Sequence, residues 1–396
     1  MKQRFFYISN AFEESVKKHR SITGDSPAAS GKVIRICHAV RAQGGKATVI
    51  SLGRRRQIGS WKWYPASIRK TNGVPVIYAS YWDAPLLTHV VSACSLLLIL
   101  LKTSCRDSVL IFYNSLAYYV PSLIINRLMG RRCILDLEDG CRSDEKSPKG
   151  RLNHLLMRIH NHYCNGGAML ASSALMKQTP LRPTIVCYGV APVAHSIKDW
   201  NSFPIKVLFG GALLKDTGAE LFLDAMELLM STNPSIGSKL KIIITGFGDI
   251  SDKIQEAART QLKSFIEYRG NVSNQEYIEL LCESHVGLCL KLPDMSMGAT
   301  TFPSKVIEMA AYGLLIVSTK VSDVPKVFSK ECGVLLKQAT PQNLSDVLTD
   351  IASSPNKYQE IALHGHEEIT LSYSPQMVGS VLLNFWRGFS PSSSAK

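Results

Sequence analysis

None of the ten cysteines in this 396-residue chain belongs to a Cys-x-x-Cys pair, so no such pair stands with metal-spaced histidines. A structural zinc site is therefore not expected, and scattered thiols of this kind suit a reducing compartment. His160 with His162, and His364 with His366, stand two apart on different helical faces, so shared metal ligation is not expected and they read as surface histidines. Gly246 and Gly248 lack a third glycine at the offset a dinucleotide fingerprint needs, which argues against a nicotinamide cofactor. Helix-turn-helix and aromatic RNA-binding signatures are missing too, so nucleic acid is not an expected partner. The longest apolar tract, Leu86–Leu101, is interrupted by His89, Ser92 and Ser95 and is short for a bilayer span. It reads as a buried helix or as one lying in a membrane surface. The first ten residues hold only a short apolar run before Glu13 and Glu14, unlike a secretory signal, and no 20–50-residue repeat is found. A cytoplasmic protein is expected, in solution or peripheral on the inner face of the membrane.

Acidic residues are scarce: 31 Asp and Glu face 45 Lys and Arg, a formal net charge of +14. Such a surface favours anionic partners. Arg54-Arg55-Arg56, Lys62, Arg69-Lys70, Arg127, Arg131 and Arg132 all lie in the first half, and Trp61, Trp63 and Tyr64 stand among the first of them. Aromatics among cations suit lipid headgroups, so an anionic membrane surface is the expected partner. The alternative is a solvated basic loop.

Short apolar, β-branched runs alternate with helical segments along nearly the whole chain, which predicts an α/β fold of two doubly wound, Rossmann-like domains. Strands are predicted at Arg4–Ser9, Ala47–Gly53, Pro75–Ser80, Val109–Asn114, Cys133–Leu137, Ala168–Ser172 and Thr184–Tyr188. Further strands are predicted at Lys206–Phe209, Lys241–Thr245, Ile266–Arg269, Val286–Leu290, Leu314–Ser318 and Val334–Leu336. Ala191–Pro204 reads as a linker, which divides the chain into domains 1–195 and 196–374. An apolar helix over 375–390 is expected to pack back on the first domain, with a disordered Ser-rich tail at 391–396. The carboxyl ends of the strands are expected to face a shared cleft.

The most informative stretch runs from Phe302 to Gly313. Pro303 fits a first helical position and Gly313 a stop about ten residues later. The helix start offers free N–H groups to an anion, Lys305 adds a full charge, and Glu308, at i+3 from it, can accept from sugar hydroxyls. A phosphate clamp beside a hydroxyl acceptor describes a nucleotide-sugar site. An ordinary amphipathic helix with one Lys–Glu pair is the alternative.

The surrounding motifs resemble the donor domain of retaining GT-B glycosyltransferases, the family-four group that builds polysaccharides and glycolipids. The resemblance runs in order through Leu208-Phe209-Gly210-Gly211-Ala212-Leu213 with Gly218, then Ile242–Gly248, Tyr268–Val272, Met297–Thr319 and Asp323–Leu336, spanning Lys206–Gln338. It implies a donor site of Gly211, Lys215, Gly246, Gly248, Asn271, Val272, Thr300, Thr301, Phe302, Pro303, Ser304, Lys305 and Glu308. Lys305 is then the residue that stabilises the leaving diphosphate. The family's usual pair of glutamates is reduced to the second, Glu308, since Thr300 stands at the first. Its usual arginine is Ala212, and its usual lysine is Thr217, with Lys215 two positions early.

In the first half, Ser30-Gly31-Lys32-Val33 is predicted to open a helix running to about Gln43 and resembles the family's glycine-containing loop, with Gly31 and Lys32 on the acceptor side. Lys32 either touches an anion or is an exposed lysine at a helix start. Glu138 and Asp139 end a strand; they either orient the acceptor hydroxyl or reacting sugar, as catalytic residues, or are solvated strand-end carboxylates. The resemblance implies transfer of a sugar from an NDP-sugar to a saccharide or lipid-linked acceptor with retention, needing no metal and no cofactor. A nucleotide-sugar epimerase of the same fold and a non-catalytic membrane scaffold are the other readings.

Overall fold

A computed structural model describes residues 3–22, 27–54, 59–85, 87–141, 147–194, 198–295 and 298–388. Arg55, Arg56, Leu86, Met297 and the expected tail at 391–396 lie outside the described residues. The chain divides into two compact units. One takes the chain up to Val190 together with the segment from Pro375 onward; the other is Ala191–Ser374.

The first unit contains β1 Arg4–Ser9, β2 Lys46–Ser51, β3 Trp63–Tyr64, β4 Ser67–Thr71, β5 Val74–Tyr78, β6 Tyr81–Trp82, β7 Val109–Tyr113, β8 Arg132–Leu137, β9 Ala168–Leu170 and β10 Thr184–Val186. Among the described residues eight of these form one sheet in the order β10-β9-β8-β7-β1-β2-β5-β4, parallel except for β4 against β5. Its central strands are apolar on both faces, as a parallel sheet covered by helices requires. Phe5 and Tyr7 of β1 pack with Val33, Ile36 and Trp386 on one side, while Phe6 and Ile8 pack with Leu96, Leu100 and Leu123 on the other. The helix Pro375–Arg387 supplies Leu382, Phe385 and Trp386 to the first of these cores. β3 and β6 pair separately as a short antiparallel ladder.

The second unit has β11 Ile205–Ala212, β12 Leu240–Phe247, β13 Ile266–Tyr268, β14 Val286–Cys289, β15 Leu315–Ser318 and β16 Val334–Leu335. They form a parallel sheet in the order β13-β12-β11-β14-β15-β16. The chain therefore reverses direction across the sheet between β11 and β14, where α/β folds bind ligands beyond the carboxyl ends of the strands.

Several boundaries and environments differ from expectation. Of the expected linker, Trp200 is buried and the Lys198 ammonium donates to the carbonyls of Leu281 (2.6 Å) and Cys282 (2.5 Å), so this segment is packed on the second unit. The apolar tract forms the helix Leu87–Thr103, but only Thr88, Ser92, Leu96 and Leu100 are buried, so it is not a core helix. His160 is buried rather than on the surface; desolvation lowers its pKa to about 4, and its Nδ1 lies 2.9 Å from the Leu156 carbonyl oxygen.

Candidate functional site

In the second unit the site is built on the carboxyl end of β11. The Lys305 ammonium donates to the Gly210 carbonyl oxygen at 2.9 Å and lies 5.6 Å from the centre of the Phe209 ring. The charge is thus tethered at the sheet's reversal point. Gly211 is opposite Gly246 in the β11–β12 register, and a Cβ on Gly246 would fall 1.8 Å from the Gly211 carbonyl oxygen. Gly246 also has φ near 116°, which an L side chain rarely adopts, so glycine is required there twice over. Gly248 is equally close-packed, its imagined Cβ 2.3 Å from the Leu213 carbonyl oxygen, and its N–H donates to Ser251 Oγ at 2.7 Å. The Tyr268 hydroxyl donates to the Gly246 carbonyl at 3.0 Å, and the Gly246 N–H donates to that of Gly270 at 2.8 Å.

The helix carrying Lys305 is Lys305–Ala311, seven residues rather than about ten, and Pro303 is not its first residue. Pro303 closes a turn instead, its carbonyl accepting from Val306 N at 3.0 Å, with Ser304 as N-cap. Gly313 does end the helix, at φ near 77°, with Gly313 N bonded to Ala310 O and Leu314 N to Met309 O, a Schellman stop. Ahead of the helix, Gly298 is packed so that a Cβ would lie 2.4 Å from the Leu292 carbonyl. Phe302 is buried, Thr300 is half-buried, and the Thr301 hydroxyl oxygen is buried without a hydrogen-bond partner among the described residues. Glu308 is half-buried within one turn of Lys305. Asn271, exposed, and Val272, half-buried, lead into Ser273, whose hydroxyl and Glu276 form a capping box that fixes the helix Asn274–Glu283.

Lys215 is placed differently. Its side chain is 68% exposed and pairs with Glu220 at 3.4 Å. Thr217, at the neighbouring turn, donates to the Ala212 carbonyl at 2.6 Å and accepts from Leu214 N at 3.0 Å. A threonine hydroxyl can close this turn, which a lysine cannot do in the same way.

In the first unit, Gly31 and Lys32 lie inside the helix Pro27–Ala42, not in a loop at its start. Pro27 begins the helix, and Ser30 accepts from Phe12 N at 3.1 Å instead of capping it. Lys32 is buried: its ammonium lies 2.5 Å from Glu138 Oε1 and donates to the Cys187 carbonyl at 3.1 Å. Burial alone would lower its pKa, but Glu138, Cys187 and Asp136 together raise it. Glu138 is thus an ion-pair partner rather than a solvated carboxylate. Beside it, Asp136 accepts from the Tyr7 hydroxyl; desolvation and the Glu138 charge raise the Asp136 pKa to about 7. Asp139 is exposed, and its N–H and that of Glu138 both donate to Asn114 Oδ1, at 3.1 and 2.9 Å. Asn114 sits at the end of β7 with φ near 62°, and its amide donates to Asp139 Oδ2 at 3.2 Å. Tyr7, Asn114 and Asp136 were not among the site residues expected from sequence, and Tyr268 was named only within a resembling stretch. Only Asn114 carried a usable signal, since asparagine at a strand end tolerates left-handed backbone.

Residues 204–354 match the family described as Glycosyl transferases group 1. A curated relative, the gpi3 subunit of phosphatidylinositol N-acetylglucosaminyltransferase from Schizosaccharomyces pombe, is 23% identical over 232 residues, which is 56% of this chain. The chain matches it over about half of its length, 46%. Among solved structures, sucrose-phosphate synthase from Thermosynechococcus elongatus is similar with a TM-score of 0.71 at 12% identity, covering 97% of this chain and 98% of that one. HepE from Anabaena in complex with UDP gives 0.66 at 13% identity, covering 96% and 98%. The same protein in complex with UDP-glucose gives 0.63 at 13% identity, covering 95% and 97%. The chain has the GT-B fold of these structures, and its 204–354 segment is similar to the glycosyl transferases group 1.

Proposed function

We infer that this chain, a GT-B fold carrying a glycosyl transferases group 1 segment, moves a sugar from a nucleoside-diphosphate sugar to a saccharide or lipid-linked acceptor, with retention. One observation carries the reading: Lys305 is tethered to Gly210 at the reversal point of the second sheet, beside the glycine pair Gly211 and Gly246. Glycine backbones let a ligand approach closely, and a preorganised cation there suits a leaving diphosphate. A diphosphate oxygen would replace the Gly210 carbonyl as the partner of the ammonium. The unpartnered Thr301 hydroxyl would donate to the same group, and Glu308 would accept from the ribose hydroxyls. In a retaining reaction of this kind the departing phosphate takes the acceptor's proton, so no protein nucleophile is required and Thr300 in place of a carboxylate is tolerated. Lys305 does the electrostatic work of a divalent cation, so no metal or other cofactor enters the reading.

In the first unit, Asp139 and the Asn114 amide are proposed to orient the acceptor, with Glu138 held by Lys32 behind them. The relative's printed name, a sugar transferase acting on a phosphatidylinositol, and the net charge of +14 support a lipid-linked acceptor at an anionic membrane. Thermal unfolding with UDP, GDP and ADP tests the donor side. A nucleotide at about 100 times its Kd should stabilise the fold by about 2.7 kcal/mol. No shift with any common nucleoside diphosphate or its sugars would sink the assignment. Nucleotide binding with no transfer to any acceptor would leave the non-catalytic reading.

A further inference from the structure

The helix Leu87–Thr103 is apolar on the wrong side for a soluble protein. Leu87, Val90, Cys94, Leu98 and Leu101 recur at i, i+3, i+7, i+11 and i+14, one stripe of the helix, and all five are exposed. Val90 is 59% and Leu98 56% exposed. The opposite stripe, Thr88, Ser92, Leu96 and Leu100, is the buried one, and the Ser92 hydroxyl within it has no hydrogen-bond partner among the described residues. From Leu87 to Leu101 there is no Asp, Glu, Lys or Arg, so an uncharged stripe about 21 Å long faces outward. Burial against the described residues does not account for the pattern.

What surrounds the stripe identifies its occupant. At its amino end the ladder of Trp63 with Trp82 runs directly into the helix: Trp61 N donates to Asp83 O and Asp83 N to Lys62 O, both at 2.9 Å, and Thr88 N donates to Ala84 O at 3.0 Å. Trp61, Trp63 and Trp82 are the exposed ones of the chain's five tryptophans; Trp200 and Trp386 are buried. Lys62 is exposed among them. At the carboxyl end stand the exposed Lys102 and Arg106, and the Arg131 guanidinium, bonded to Ser104 O at 3.1 Å, ties in the end of the helix Val120–Leu128, where Leu128 and Met129 are exposed. An apolar stripe with aromatics at one end and cations at both is the arrangement of a helix lying in a lipid headgroup layer. A second copy of the chain would bring these like charges together.

We propose that the outward stripe of Leu87–Thr103, with the Trp61–Trp82 ladder, is a membrane-docking surface that seats the first unit in the headgroup–acyl boundary of an anionic bilayer. This deepens the membrane reading given above and names the surface that does it. The test is flotation of the full chain with phosphatidylcholine vesicles and with vesicles containing 30% phosphatidylglycerol, comparing wild type with the double variant Val90→Glu, Leu98→Glu. Both positions are exposed, so the variant should unfold at the wild-type temperature. The expected result is anionic vesicle binding by wild type, at least a tenfold weaker partition for the variant, and quenching of tryptophan emission by brominated lipid in wild type alone. Equal binding by both proteins overturns the surface while leaving membrane association standing. No binding by wild type at low salt overturns both. Dimerisation in solution that the variant abolishes, without vesicle binding, assigns the stripe to a second copy and overturns the proposal. Nucleoside diphosphate stabilisation, measured on the same proteins, stays an independent check of the donor site.

Discussion

The Lys32 ammonium and Glu138 Oε1 lie 2.5 Å apart although 106 positions separate them, and their side chains are only 6% and 14% exposed. Two charges removed from water are stable only together, because each satisfies the other's lost hydration. Their pairing fixes the residue that follows β8 to the helix Pro27–Ala42, and with it the neighbouring Asn114 and Asp139.

Lys32→Met should therefore cost about 3–5 kcal/mol, since it strands a buried carboxylate. Adding Glu138→Leu should recover most of that loss. Urea midpoints for the two singles and the double give the coupling directly. A single variant as stable as wild type would mean the pair contributes nothing.

Asp136 gives the fold a pH dependence. Its pKa is raised from 3.8 to about 7, first by desolvation and then by the Glu138 charge. Between those values the carboxyl is protonated in the folded chain and ionised in the unfolded one. Its contribution is fully present below about pH 4 and is lost as pH rises towards 7, because the unfolded state binds fewer protons. Asp136→Asn removes this dependence. The stability change from pH 5 to pH 8 should be smaller in the variant by roughly 2–3 kcal/mol. Parallel pH profiles for the two proteins would show that Asp136 titrates normally.

Gly246→Ala places a methyl group 1.8 Å from the Gly211 carbonyl and forces φ near 116° on an L residue. The two strand ends must separate, at a cost of roughly 2–4 kcal/mol by analogy with overpacking and backbone strain. Nucleotide binding should weaken more than Tm falls. An alanine variant that binds nucleotide like wild type would show that this close approach does not shape the site.

Much of the fold is legible in the sequence. Buried parallel strands are continuous apolar runs, so β1, β7 and β11 announced themselves. β4, Ser67–Thr71, did not: it is a polar, mostly exposed edge strand that pairs antiparallel, and nothing but its neighbour defines it. The helix expected to open at Ser30 starts three residues earlier, at Pro27, and the proline rule failed at Pro303, because the Pro303 carbonyl closes a turn one step before the helix. Lys305 and its glycines were readable, since close backbone approach demands particular residues. The Lys32–Glu138 and Tyr7–Asp136 contacts were not, because pairing across the sheet depends on topology that no local window contains.

Transfer should survive EDTA. On the proposed reading Lys305 would take the place of the cation that a metal-dependent site holds on the diphosphate. Loss of activity in chelator, restored by Mg²⁺ or Mn²⁺, would contradict the site as drawn.

Lys305→Met separates its structural from its chemical role. In the free protein Lys305 gives one half-buried hydrogen bond to Gly210, worth about 0.5–1.5 kcal/mol, so Tm should fall only slightly. In the proposed reaction the same ammonium would face charge that grows on the leaving diphosphate, and preorganised donors of that kind contribute on the order of 10²–10³-fold in rate. The variant should lose kcat by that factor and bind the nucleotide diphosphate more weakly. Lys305→Arg should restore part of the binding but less of the rate, because the broader guanidinium cannot occupy the same point beside Gly210. A folded Lys305→Met protein with near-normal turnover would remove Lys305 from the mechanism and return the site to an ordinary helix start.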